Sequence, residues 1–126
     1  MARKRFYICR SCNTIIDLVE GEENNFVCGE NKMEALIPGA VDAAAEKHVP
    51  EVSVEGDTVS VAVGSVIHPA TEAHHITWIC LETKQGRQFK YLEHTAEPKV
   101  SFKLIDDTPR RVYAYCNLHG LWVKEL

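Results

Sequence analysis

The chain has 126 residues, 45% of them hydrophobic and 25% charged, with a formal net charge of −4. That length suffices for one domain with a genuine core and a small appendage, not for two full-sized domains, and the acidic balance argues against nucleic acid or an anionic membrane as the main partner. No run of about 18 apolar residues occurs and the start lacks the apolar stretch of a signal peptide, so a cytoplasmic protein without a membrane span is expected.

The basic start Ala2-Arg3-Lys4-Arg5 reads as a solvated terminus. From Phe6 to about Leu36 come three of the five cysteines, Cys9, Cys12 and Cys28, and only the short apolar runs Phe6-Tyr7-Ile8, Thr14-Ile15-Ile16 and Phe26-Val27. Such a piece buries little by itself and leans on a metal or a neighbour. In a reducing compartment, cysteines are thiols, metal ligands or reactive groups rather than a disulfide framework, which an odd count also fits poorly. Pro38-Gly39-Ala40 marks a junction and divides the chain into a subdomain over 1–37 and a main domain over 38–126. Ala43-Ala44-Ala45-Glu46 allows at most a helical turn or two before Pro50 stops it.

From Glu51 the pattern changes to period two, with turn signals at short spacing: Val52-Ser53-Val54, then Glu55-Gly56-Asp57, then Val59-Ser60-Val61-Ala62-Val63. Further strands are predicted at Ile76 to Leu81, Gln88 to Leu92, Val100 to Ile105, Val112 to Cys116 and Leu121 to Val123. About seven short strands with little helix predict an all-β fold, an antiparallel sandwich of immunoglobulin-like type.

Four histidines and one cysteine fall in loops or at strand ends: His48 before Pro50, His68 before Pro69, His74 just before a strand, and Cys116 and His119 in Cys116-Asn117-Leu118-His119-Gly120. Loops from both sheets cluster at the ends of a sandwich, so distant residues can converge there. Imidazoles suit iron, copper, nickel or zinc, and a thiolate adds a soft, electron-donating ligand that suits a redox metal. Five candidates exceed the four ligands of a closed structural zinc. Taken singly, each histidine is more often a surface or hydrogen-bonding residue, so the spacing carries the case.

Glu46-Lys47-His48-Val49-Pro50, His68-Pro69 with His74 six positions on, Trp78, and Cys116-Asn117-Leu118-His119-Gly120 closely resemble the desulfoferrodoxin/superoxide reductase family. The Cys9-x-x-Cys12 start and Val41-Asp42-Ala43-Ala44 extend the resemblance over nearly the whole chain. It implies a neelaredoxin-type catalytic domain behind a small desulforedoxin-like β subdomain. It also implies one ferrous ion held by four equatorial imidazoles, from His48, His68, His74 and His119, and an axial Cys116 thiolate opposite an open position. The implied enzyme is a superoxide reductase: superoxide takes one electron from iron and two protons from solvent and leaves as hydrogen peroxide, a detoxification expected in an anaerobe or microaerophile. Lys47 is implied to attract the anion and hydrogen-bond the reduced product, and Glu46 to fill the open position after oxidation. A rubredoxin-like electron donor and a homodimer are likewise implied.

The chain departs from two-iron members in its first segment. These hold a second iron with Cys-x-x-Cys and an adjacent Cys-Cys pair, but the fourth position here is Gly29. An all-thiolate tetrahedral site therefore lacks a ligand, Glu30 being a poor substitute, and the second iron is expected to be absent. A metal-free segment, with a Cys9–Cys12 disulfide on oxidation, stands beside a weakened three-thiolate site. His75 and His94 match no family position and are expected to be structural or at the surface. Cys80 is expected to be a buried small hydrophobe, and Trp78 and Trp122 core residues. Two other classes of function remain open at this point: an electron carrier or redox sensor without turnover, and a zinc-ribbon-plus-sandwich binding module.

Overall fold

The structure, a computed structural model, describes residues 4–126; Ala2 and Arg3 of the basic start lie outside the described residues. It divides into two compact units, Met1–Ile37 and Pro38–Leu126. No helix among the described residues is long and apolar enough to cross a membrane.

The first unit is small. Strands β1 (Phe6–Ile8), β2 (Ile15–Asp17) and β5 (Glu34–Ala35) form one antiparallel sheet in the order β2-β1-β5. A hairpin pairs β3 (Val27–Cys28) with β4 (Asn31–Lys32). Tyr7, Cys9 and Met33 form its buried centre, with Leu18, Phe26, Cys28 and Ala35 packed around them. Tyr7 and Phe26 meet edge to face at 4.8 Å between ring centres, a favoured aromatic arrangement.

The second unit is an immunoglobulin-like antiparallel sandwich. It opens with one helical turn, α1 (Ala45–His48), after which come β6 (Pro50–Glu55), β7 (Thr58–Val63), β8 (Ile76–Thr83), β9 (Arg87–Tyr91), β10 (Lys99–Lys103), β11 (Pro109–Cys116) and β12 (Gly120–Glu125). One sheet runs β10-β7-β6 and the other β12-β11-β8-β9. Val59, Val61 and Val63 of β7 point inward on alternate positions and meet Ile79, Leu81, Phe102, Val112 and Ala114 in the core. β8 and β11 are central in the second sheet and buried on both faces; Trp78 and Tyr115 stack on the outer side, 5.6 Å apart and 6° from parallel. Cys80 is fully buried in β8.

Register brings one set of strand ends together. Pro50 at the start of β6 pairs with Val63 at the end of β7, and Cys116 at the end of β11 pairs with both Ile76 of β8 and Gly120 of β12. The segments holding His48, His68, His74, Cys116 and His119 all leave from these ends.

Candidate metal centre

Each of the five residues is delivered by a local device. His48 closes α1, whose Val49 N–H bonds Ala45 O at 2.8 Å before Pro50 ends the turn. Glu46 O of that turn accepts the Val66 N–H at 2.9 Å and the Ser65 hydroxyl at 3.2 Å. This docking needs Gly64, because a Cβ there would stand 2.7 Å from Glu46 O and 2.8 Å from Val49 O. The same loop carries His68, whose N–H bonds Val63 O at 2.8 Å.

His74 sits in a tight turn with Thr71: the Thr71 N–H donates to His74 O, and the His74 N–H to the Thr71 hydroxyl, both at 3.0 Å. Cys116 precedes, and His119 ends, the three-residue connection between β11 and β12, a length that favours a left-handed residue at its close. Gly120 fills that place with φ +77°.

The four rings form a square. Neighbouring ring centres lie 4.6 Å (His48–His68), 4.5 Å (His68–His74), 5.0 Å (His74–His119) and 4.9 Å (His119–His48) apart, with each adjacent pair nearly perpendicular. The His48–His74 diagonal is 6.2 Å. Cys116 Sγ lies 3.4 Å from His68 Nε2 and 3.9 Å from His119 Nδ1. It thus lies near the two corners of the other diagonal; His48, His68, His74 and Cys116 offer ligand atoms all within 4.8 Å of one another, a group that does not include His119.

Hydrogen bonding fixes which nitrogens face inward. His48 Nδ1 donates to Ala44 O at 2.7 Å and His68 Nδ1 to Pro69 O at 2.8 Å, so both Nε2 atoms carry lone pairs. Those lone pairs meet at 3.2 Å, and His48 Nε2 is 3.1 Å from His119 Nδ1. His74 Nε2 is buried with no hydrogen-bond partner among the described residues. The facing lone pairs of His48 and His68 repel one another unless a cation lies between them. Two imidazole nitrogens about 2.1 Å from one ion, at right angles to it, stand about 3.0 Å apart, close to the spacing seen. The donor set therefore fits a metal ion.

Electrostatics agree. Burial, reinforced by the neighbouring rings, pushes His68 down to about 4. Burial likewise lowers His48 and His74, leaving neutral imidazoles as metal binding requires. Burial raises the Cys116 thiol, opposed by backbone hydrogen bonds from Leu118 and His119 to its sulphur. Trp122 covers the His48 ring at 4.9 Å and donates its indole N–H to His119 O at 3.1 Å.

Glu46 and Lys47 are exposed on α1, and the charge of Lys47 is felt at both His48 and His74. His75 and His94 stay outside the square, their rings 5.7 Å from each other. Sequence reasoning assigned no role to Thr71, Gly64 or the Asn117 side chain. Asn117 Oδ1 accepts the His75 N–H at 2.9 Å and Nδ2 donates to Ala73 O at 3.0 Å, clamping both sides of His74.

The desulfoferrodoxin family profile matches residues 40–125. A desulfoferrodoxin from Syntrophotalea carbinolica is 40% identical over 126 residues, covering 99% of each chain. Among solved structures, the superoxide reductase from Treponema pallidum superposes with a TM-score of 0.81 at 39% identity, covering 95% of this chain and 98% of that one. The superoxide reductase (1Fe-SOR) from Giardia intestinalis gives a TM-score of 0.55 at 39% identity, covering 64% of this chain and 99% of its own.

Proposed function

The chain belongs to the desulfoferrodoxin family, and from that premise we propose that His48, His68, His74, His119 and Cys116 hold one mononuclear, non-haem iron at which superoxide is reduced to hydrogen peroxide. The observation that carries this is the square of four imidazoles with a thiol reaching two of its opposite corners. When bound, the iron supplies the single electron that superoxide takes up; two protons from solvent complete the peroxide.

The chain's own groups set the conditions. Four neutral imidazoles and one thiolate leave a ferrous centre with net positive charge, which favours an anionic substrate. The Cys116 sulphur is a soft, electron-donating ligand, and the Leu118 and His119 amides temper that donation. Lys47 draws the anion toward the site, and we assign Glu46 to cover the site between turnovers. Trp122 shields the His48 side from water.

We assign the reaction to 38–126 and treat 1–37 as the desulforedoxin-like subdomain. A rubredoxin-like protein returning the electron, a homodimer, and superoxide detoxification in an anaerobe or microaerophile complete the proposal. Five free cysteines suit a cytoplasmic, reducing setting.

Superoxide mixed rapidly with the reduced protein, without any donor, tests the reaction. A reductase oxidises its iron and yields one peroxide for each iron oxidised. An electron carrier or sensor leaves the iron reduced on that timescale, and a zinc-binding module contains no iron to oxidise.

A further inference from the structure

A second group of metal-ligating side chains lies wholly within the first unit and takes no part in the reaction above. The sulphurs of Cys9, Cys12 and Cys28 lie within 4.8 Å of one another, and those of Cys12 and Cys28 are 3.7 Å apart. Thiolates about 2.3 Å from one tetrahedral ion stand about 3.8 Å apart along each edge. The observed edge has that length.

Two tight turns aim the sulphurs at a common point. In the first, Asn13 N–H bonds Cys9 O at 2.7 Å and Cys9 N–H bonds Thr14 O at 2.9 Å, with Asn13 at φ +62°. The Ser11 and Cys12 amides hydrogen-bond the Cys9 sulphur, and the Ser11 hydroxyl lies 3.1 Å from it. The second turn follows Cys28 in the β3–β4 hairpin, with Gly29 at φ +60°.

A closed four-ligand site does not fit. Among the described residues no histidine, cysteine or carboxylate makes a fourth member of this group. Cys12 is exposed and Cys28 half-buried, and a Cβ at Gly29 would meet nothing within 4 Å. Three converging soft donors, one of them exposed to solvent and with no fourth protein ligand in the group, describe a site that keeps an exchangeable position.

We propose that Cys9, Cys12 and Cys28 bind one thiophilic dication of the zinc type, whose fourth ligand is drawn from solvent and is replaceable by a small thiol. The ion ties the two turns across a small unit with a cluster of three buried residues, Tyr7, Cys9 and Met33, where a metal link adds to a modest core.

Cobalt(II), titrated anaerobically into the full iron-loaded chain under reducing conditions, is the probe, because its near-ultraviolet bands report thiolate ligands and its visible bands report tetrahedral geometry. The expected result is one cobalt per chain beyond the iron, with visible bands that shift when 2-mercaptoethanol is added. Cys12→Ser, at an exposed position, should weaken that binding by roughly a hundredfold or more. Gly29→Cys should retain the bands and abolish their response to added thiol. Failure of the parent chain to take up cobalt in this unit would overturn the proposal. So would visible bands indifferent to thiol, or full-strength binding in Cys12→Ser.

Discussion

Asn117 and His75 are 42 positions apart, yet the Asn117 carboxamide oxygen takes the His75 backbone N–H at 2.9 Å. Through its amide group it also holds Ala73 O at 3.0 Å. One side chain from the β11–β12 turn therefore fixes the residues on either side of His74, and the hairpin that carries Cys116 and His119 also orients a ligand from another loop. Asn117→Ala should lower iron affinity by roughly 10- to 100-fold, the range seen when a group supporting a metal ligand is lost. Asn117→Asp, which can still accept but not donate, should fall between the two. Chelator competition measures it, and an unchanged affinity in Asn117→Ala would remove Asn117 from the account.

Gly64→Ala places a Cβ 2.7 Å from Glu46 O and 2.8 Å from Val49 O, both backbone atoms. The α1 turn must shift, taking His48 with it. The expected outcome is a fold destabilised by about 1–3 kcal/mol and a sharply reduced iron content, read by thermal unfolding and metal analysis on the same sample.

Lys47→Ala should slow superoxide reduction by roughly a factor of 10 at low salt while leaving iron content intact, because Lys47 is a charge beside the site and not a ligand. The penalty should shrink as salt rises, since about 0.1 M screens charges over about 10 Å. Glu46→Ala should leave the encounter rate nearly unchanged and alter the spectrum of the oxidised protein. Rapid mixing across a salt series separates the two; a parent-like rate and salt slope in Lys47→Ala would make it an ordinary solvated side chain.

The metal-free protein should lose stability as pH falls from about 6.5 toward about 4. His68 titrates near 4 when folded, against an ordinary 6.5, so the unfolded chain binds its proton first and acid favours unfolding. Across that window His68 alone costs on the order of 3 kcal/mol, and His48 and His74 act in the same direction. Denaturant unfolding of metal-free protein at pH 7 and pH 4.5 measures it; equal stabilities would contradict neutral, buried imidazoles.

The sandwich was legible where one sheet face is solvated. Val59, Val61 and Val63 alternate with exposed or half-buried neighbours, and that alternation predicts β7 within a residue. β8 was legible only as an apolar run, because burial on both faces erases the alternation that would say which side Trp78 and Ile79 take. The two-residue strands β4 and β5 are too short for any periodicity. Ile105 was expected to extend β10 but lies beyond its end, 83% exposed.

The site divides in the same way. His48, His68, His74, Cys116 and His119 stood out because their types and spacing form a motif. The supporting roles of Thr71, Gly64 and the Asn117 side chain did not, because each acts through backbone atoms brought near only by the folded loops. A threonine, a glycine and an asparagine in loops are ordinary by composition, and nothing local tells Asn117 that Ala73 O will be its partner.

The absorption spectrum of the oxidised protein tests the central claim most directly, compared between the parent and Cys116→Ser with Cys9, Cys12 and Cys28 left intact. The account predicts a visible thiolate-to-iron charge-transfer band in the parent and its loss in Cys116→Ser, because a hydroxyl is a harder and weaker donor than a thiolate. A band that survives in Cys116→Ser, or a parent protein without one, would contradict an iron held by Cys116 and the four histidines.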